Sequence, residues 1–423
     1  MTKNYLATTA LALLAGGAGL QASAQELRFM CASDGSECDV LEELSQRFEA
    51  DHPGVDVVID LVAHNTTLES LPVQLAAGSG PDIAKVTDLG GLNPYYLDLA
   101  PYVDRDYWEA SFGDTLGWYR KGPEDDGIYG MHSQMTITGA YINRTLFDQA
   151  GIEVPAEDAG WEEWVAAARA VAEATGTQFP MAIDRSGHRF AGPAISSGAK
   201  IFDADGTPIL IDEGFEEFAG KFVEWHADGT FARDVWAGSG GSSYADAASE
   251  FLNAQLVYYY SGSWQVQRFD ETIGDAFDWQ VVGSPCGTGG CTGMPGGAGI
   301  VGFKHTEHPE LVAELIDFLA QEDNYTELTA RSLNIPAHLA VAQKGVAYPD
   351  ASEQGEAALQ AWGEQVTKLS PVAYDYQGYV NNRAMFNITL ARLTQAIVGE
   401  LSVENAMARA RDDLAELLVA TGQ

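Results

Sequence analysis

Three short runs decide the fold: Leu27-Arg28-Phe29-Met30, Val55-Asp56-Val57-Val58-Ile59-Asp60-Leu61 and Ile83-Ala84-Lys85-Val86. In the middle run Val55, Val57, Ile59 and Leu61 recur at the period of two that a strand requires. Between the first two lies a turn through Ser33-Asp34-Gly35. Asp39, with Glu42 three residues on, then predicts a capping box opening a helix that carries Leu41, Leu44 and Phe48 on one face. Pro53-Gly54 stops that helix. Between the second and third runs Leu68, Leu71 and Leu75 keep helical spacing until Gly78-Ser79-Gly80-Pro81. The order is βαβαβ, which implies a parallel, doubly wound sheet.

The same alternation continues outward. Tyr141-Ile142-Asn143 ends a strand expected to cross into a second lobe, and Leu256 to Tyr260 reads as a buried strand. Trp161, Trp164, Val165, Ala168 and Val171 are spaced as one helix face, as are Phe215, Phe218, Phe222 and Trp225. Ser284 to Gly302 is Gly-rich with two prolines and suits a linker or hinge crossing back. Two final helices are expected between Ala384 and Leu418, separated by Gly399, with Ser402 capping the last.

Toward the N-terminus, Lys3, the apolar stretch Leu6 to Leu20 and Ala22-Ser23-Ala24 before Gln25 have the layout of a cleaved signal peptide over residues 1–24. The apolar stretch falls short of the roughly 20 residues a spanning helix needs. An exported chain of the remaining length exceeds what one hydrophobic core usually supports, so two lobes are expected. The formal net charge is −38, and removing residues 1–24 takes away Lys3 and no acid, leaving −39. Such a surface repels phosphate backbones and anionic headgroups, which argues against nucleic acid or membrane partners. The four cysteines form two close pairs, and of the three possible pairings the local one is expected in an oxidising compartment: Cys31 with Cys38, Cys286 with Cys291.

Six segments, in order, resemble extracellular solute-binding proteins of family 1, the maltose-binding-protein-like substrate-binding subunits of bacterial ABC sugar importers. They are Phe48-Glu49-Ala50-Asp51-His52-Pro53-Gly54-Val55; Leu75 to Ile83 with its Gly-Ser-Gly-Pro-Asp turn; Gly127-Ile128-Tyr129-Gly130 with Tyr141 to Phe147 and Ala150-Gly151-Ile152; Trp161-Glu162-Glu163-Trp164; Gly262-Ser263-Trp264; and Gly399 to Ala406. Gly160 stands where the family usually has a Thr cap. The resemblance implies an α/β, two-lobed periplasmic binding protein (a Venus flytrap), each lobe a mixed sheet flanked by helices. The expected first lobe is 25–133 plus 290–345 and the second 134–285 plus 346–423. It also implies periplasmic capture of a carbohydrate, delivery to the permease subunits of an ABC transporter, a monomeric state, and no cofactor or metal.

Ligands in open α/β sheets sit beyond the carboxyl ends of the strands, and hinge motion closes two lobes around them. Asp34 follows the first strand at a position that in the family bonds sugar hydroxyls. His64 and Asn65 follow the second strand and Asp88 the third; Gln134 and Thr136 lie beside the crossover. Trp264 is the expected stacking platform for a sugar ring, whose C–H face suits a flat aromatic. Phe386 lies where family members carry a cleft aromatic, with Tyr376 and Tyr379 as substitutes. In a chain with only 23 basic residues, Asp184-Arg185-Ser186-Gly187-His188-Arg189 stands out. By the resemblance it aligns with a sugar-contacting loop. It admits contact of Arg185, His188 or Arg189 with an anionic or heavily hydroxylated ligand, or a purely structural Asp–Arg pair.

A secreted carbohydrate-active enzyme is the competing class, and a binder of an anionic solute such as an acidic sugar or a glycerol phosphoester is the alternative within the same class. Catalysis needs a constellation of groups. His305-Thr306-Glu307-His308 has the wrong spacing for a zinc H-E-x-x-H, Ala194-Ile195-Ser196-Ser197-Gly198 lacks the first glycine of G-x-S-x-G, and no P-loop is present. No catalytic residue is therefore expected.

Overall fold

The computed structural model describes residues 25–33, 35–122, 124–238 and 240–422; the expected signal peptide and Asp34 lie outside the described residues. Eight strands form the framework: β1 (Gln25–Cys31), β2 (Val55–Leu61), β3 (Ile83–Val86), β4 (Gly130–Asn143), β5 (Phe179–Ile183), β6 (Leu256–Gly262), β7 (Trp279–Gly283) and β8 (Pro295–Gly302). Their spatial order is β2-β1-β3-β8-β4-β6-β5, with β7 also on β4. β1 runs parallel to β2 and β3, and β5 parallel to β6. β8 and β4 enter antiparallel, so the sheet is mixed.

β4 joins the two lobes. Its first half, Gly130 to Ile137, pairs with β8, while the part from Thr138 onward pairs with β6 and β7. Around the first half pack Leu27, Phe29, Leu41, Leu44, Phe48, Trp108, Ile300 and Leu315. Around the second pack Trp161, Trp164, Phe190, Phe222, Tyr258, Tyr260 and Phe386 on one face, and Tyr141, Phe251, Tyr259, Phe269 and Trp362 on the other. Consecutive residues of a strand point to opposite faces. Tyr258 and Tyr260 thus serve one core and Tyr259 the other, with helices covering both. Each fully buried aromatic of this kind contributes roughly 1.5–3 kcal/mol.

Two local expectations change. The Gly-rich segment is irregular only in its first part: Pro295–Gly302 is strand β8, laddered to β4 and to β3. Its glycines answer close approach. A Cβ on Gly297 would meet the Gln134 carbonyl at 2.0 Å, and one on Gly299 the Tyr119 hydroxyl at 2.1 Å. The first helix starts at Glu37 rather than after Asp39, with Ser36 at the N-cap position. Ser36 caps nothing with its side chain; its hydroxyl instead receives a hydrogen bond from Gln267 Nε2 at 2.6 Å. By contrast, the Ser402 hydroxyl accepts from the Asn405 N–H as read, at the start of the helix Val403–Thr421. Cys31 is bonded to Cys38 and Cys286 to Cys291. Among the described residues no helix is long and apolar enough to cross a membrane.

Candidate ligand-binding site

The first-lobe wall is built at the carboxyl ends of β1, β2 and β3. The Cys31–Cys38 bond closes the loop after β1 and delivers Glu37 on the first turn of its helix. Glu37 is buried and paired with Lys85, which β3 points into the same space. The carboxylate also accepts from the Ser133 hydroxyl at 3.1 Å and from Gln134 Nε2 at 3.1 Å. A buried ion pair persists only when its remaining lone pairs are satisfied in this way. After β2 come His64 and Asn65. Burial, and then the nearby cations Arg189, Arg383 and Lys85, depress the His64 imidazole to about 3.

The second-lobe wall rises from the helix Gly187–Ser196, whose cap is the Ser186 hydroxyl accepting from the His188 N–H at 3.2 Å. His188 Nε2 lies 3.0 Å from the Pro295 carbonyl, an acceptor only, so Nε2 carries the proton. Burial holds His188 neutral with a pKa lowered to about 3. One position on, the Arg189 guanidinium lies 4.1 Å from the ring centre of Trp264 and 5.1 Å from that of Tyr244. Beneath them Asp184 is fully buried and accepts from the Tyr259 hydroxyl and the Ser261 hydroxyl, each at 2.6 Å, and from the Tyr244 hydroxyl at 3.2 Å. Burial and neighbouring Asp246 raise its pKa to about 7.

The walls meet through the segment 242–246. Asn65 Nδ2 donates to the Ser242 hydroxyl at 2.8 Å and to the Tyr244 carbonyl at 3.2 Å, and the Ser243 N–H donates to Glu69 at 3.0 Å. The His64 ring stands edge-on to Tyr244. Between the walls lies a cavity of about 420 Å³, floored by Gln134, Thr136 and the Gly296–Ala298 stretch of β8. That volume falls in the lower part of the roughly 300–1,000 Å³ usual for small-molecule sites. Seven buried polar atoms on residues lining the cavity have no partner among the described residues: Asn65 Oδ1, Gln134 Oε1, Gln377 Oε1, Ser332 Oγ, Arg189 Nε, Arg383 Nε and Trp264 Nε1. Each such orphan costs roughly 1–3 kcal/mol unless something supplies the missing bond.

Of the positions singled out in the sequence, His64, Asn65, Gln134, Thr136, His188, Arg189 and Trp264 line this cavity. The other described positions stand outside it. The Asp88 carboxylate folds back onto the Gly91 N–H at 3.2 Å; burial raises its pKa while Arg383 pulls the other way. Arg185 props segment 242–246 from behind, donating to the carbonyls of Trp236 and Ser242 and to the Thr394 hydroxyl. Tyr379 packs edge-on against Phe202, and Phe386 is buried against Tyr376 with its edge toward His188. Glu37, Lys85, Tyr244, Asp246, Gln377 and Arg383 line the cavity without having been singled out. Arg383 had a signal: it lies three residues before Phe386, in a chain poor in cations. Among the described residues no cluster of His, Cys, Asp or Glu is placed to hold a metal ion.

Two α/β lobes closing on a polar cavity define the architecture of a two-lobed binding protein. A family model described as bacterial extracellular solute-binding protein matches residues 34–326, and the chain belongs to that family. A protein of Brucella abortus (strain 2308), described no further than as a binding protein, is 23% identical over 307 residues, covering 70% of this chain and 72% of that one. An ABC substrate-binding protein of Listeria monocytogenes, solved in complex with cycloalternan, matches with a TM-score of 0.76 at 20% identity over 93% of this chain and 99% of that one. Maltose-bound MalE3 of T. maritima matches with a TM-score of 0.77 at 18% identity over 93% of this chain and 100% of that one. Likeness at these identities speaks for the fold.

Proposed function

We propose that this protein is the periplasmic substrate-binding subunit of an ABC importer, and that it captures a carbohydrate between its lobes and delivers it to the permease without transforming it. The observation that carries the reading is the set of seven unpartnered polar atoms around one cavity: three N–H donors, three amide oxygens and one hydroxyl. A hydroxyl is both donor and acceptor, so a polyhydroxylated ring can answer both kinds at once. Structural relatives solved with cycloalternan or maltose support the same ligand class.

The lobes of this proposal are 25–133 plus 290–345 and 134–285 plus 346–423. Capture proceeds by the lobes closing, with Asn65 and Glu69 of one lobe engaging Ser242, Ser243 and Tyr244 of the other. The closed form is what docks on the permease. The site residues proposed are His64, Asn65, Gln134, Thr136, His188 and Trp264, joined by Arg189, Gln377 and Arg383.

The test uses the purified mature protein in a thermal-shift screen against a sugar library, followed by calorimetry and analysis of the recovered ligand. A ligand at 100 times its Kd adds about 2.7 kcal/mol of stability, enough to read as a raised Tm. Recovery of the sugar intact supports the proposal; recovery of cleaved or modified sugar, or no response across the library, overturns it.

A further inference from the structure

We infer that the sugar this cavity takes carries a carboxylate, as in a hexuronic acid or a short glycoside of one, seated against Arg189 and Arg383. The inference rests on the carbohydrate reading above and narrows it. Its ground is an imbalance in how the charged groups around the cavity are answered.

The acids are mostly satisfied from within. Glu37 has Lys85, Ser133 and Gln134. Asp184 has the hydroxyls of Tyr259, Ser261 and Tyr244 and the Ala247 N–H. Asp88 turns away to Gly91. Asp246 faces the cavity with one backbone donor, the Ala248 N–H at 3.1 Å, and retains capacity for ligand hydroxyls.

The two arginines are not answered in this way. Among the described residues Arg383 donates only to Thr87, at 3.3 Å to its carbonyl and 3.4 Å to its hydroxyl, and the one hydrogen-bond contact of Arg189 is the His188 ring at 3.4 Å. Both keep a buried Nε without a partner, and among the described residues no carboxylate forms an ion pair with either. Burial lowers the pKa of Arg383, the Asp88 carboxylate opposes this through space without forming an ion pair, and Arg189 adds to the lowering. The fields of both arginines converge on His64 and His188, which stay neutral.

Geometry selects the anion. Arg189 lies against the rings of Trp264 and Tyr244, which restrict its guanidinium, and its Nε keeps no partner among the described residues. A guanidinium edge matches a planar carboxylate through two parallel bonds. Asp88 and Asp184 act on the two arginines only through space, so neutral hydroxyls would leave both guanidinium groups without a carboxylate in contact, whereas a carboxylate seated between them answers both. The remaining sugar hydroxyls then meet the amide oxygens of Asn65, Gln134 and Gln377.

The experiment is calorimetry on the full mature protein with matched pairs that differ only at C6: methyl glucoside and methyl glucuronide, galactose and galacturonate, galactobiose and digalacturonate, with the hexose 6-phosphates as a third arm. The expected result is at least tenfold tighter binding of one or more uronates than of the neutral partners. Arg383→Gln should abolish that preference while the protein keeps its Tm in the ligand-free state; Arg383→Lys should restore it in part. Equal or tighter binding of the neutral sugars overturns this inference and leaves the carbohydrate reading standing. Preference for the phosphates overturns the carboxylate. Silence from every arm overturns both readings together.

Discussion

On the first-lobe wall of the cavity Glu37 is held by Lys85, Ser133 and Gln134, so charge and hydrogen bonds close upon themselves. On the second-lobe wall Arg189 leans on aromatic rings and keeps an unpaired Nε, as does Arg383 beside it. Both walls are polar and both are charged, yet they do different work. A saturated pair gives a ligand little to bind and fixes the shape of the loop after β1. Under-satisfied donors stabilise the free protein little and hold their capacity for whatever enters. The contrast separates a structural pair at Glu37 and Lys85 from the unsatisfied cations of the opposite wall, with Asn65 as the first wall's own unanswered group.

The sharpest way to break this contrast is at Lys85. Replacing it in Lys85→Met strands the Glu37 carboxylate in a buried site, and breaking a buried pair from one side typically costs 3–5 kcal/mol. Chemical denaturation of the ligand-free protein should show a loss of about that size, largely recovered by Glu37→Gln in the same chain. A loss under about 1 kcal/mol would mean the first wall is not the structural one.

A second measurement concerns how the recognition wall stays selective in its charge. His188 sits between the arginines and the β8 backbone with its pKa lowered to about 3, against roughly 6.5 in an unfolded chain. The unfolded state therefore binds the extra proton first as pH falls. The stability due to a neutral His188 is whole above pH 6.5, declines below it, and is exhausted near the folded value. At pH 5 the decline amounts to about 2 kcal/mol. His188→Gln keeps a donor for the Pro295 carbonyl but does not titrate. The variant should lose about that much less stability than the parent between pH 7 and pH 5, although Asp184, raised to about 7, adds an opposing slope common to both proteins. Parallel stability curves would show that His188 is charged in the folded state.

The fold was far more legible in the sequence than the site. Strand alternation at Val55 to Leu61 and helical spacing at Trp161 to Val171 are local signals, and each led to the observed element. β8 misled because its glycines are set by partners distant in sequence, Tyr119 and Gln134, whose approach no local pattern records. The strand-end rule brought His64 and Asn65 to the cavity because position along a strand fixes which end of the sheet a loop occupies. It cannot say which way a side chain turns, and Asp88 turns inward to Gly91. Arg185 and Arg189 looked equivalent in sequence. Four positions apart, straddling the cap of one helix, they fall on opposite sides of segment 242–246, one propping it and the other facing the cavity.

Trp264 tests whether recognition on the second wall belongs to the aromatic or to the cation it supports. The ring is half-buried, and Arg189 occupies the space over its face at 4.1 Å. A sugar meeting Trp264 therefore also meets, or displaces, a guanidinium. Trp264→Ala should weaken carbohydrate binding at least tenfold, about 1.4 kcal/mol, with little change in the Tm of the free protein. A double-mutant cycle with Arg189→Ala separates the two roles, because groups acting through one another give less than additive losses. Sub-additive losses would mean that Trp264 works by holding the arginine edge toward the ligand; additive losses would mean that ring and cation touch the sugar independently. Unchanged affinity in Trp264→Ala would remove the ring from the site and leave Arg383 as the main contact of that wall.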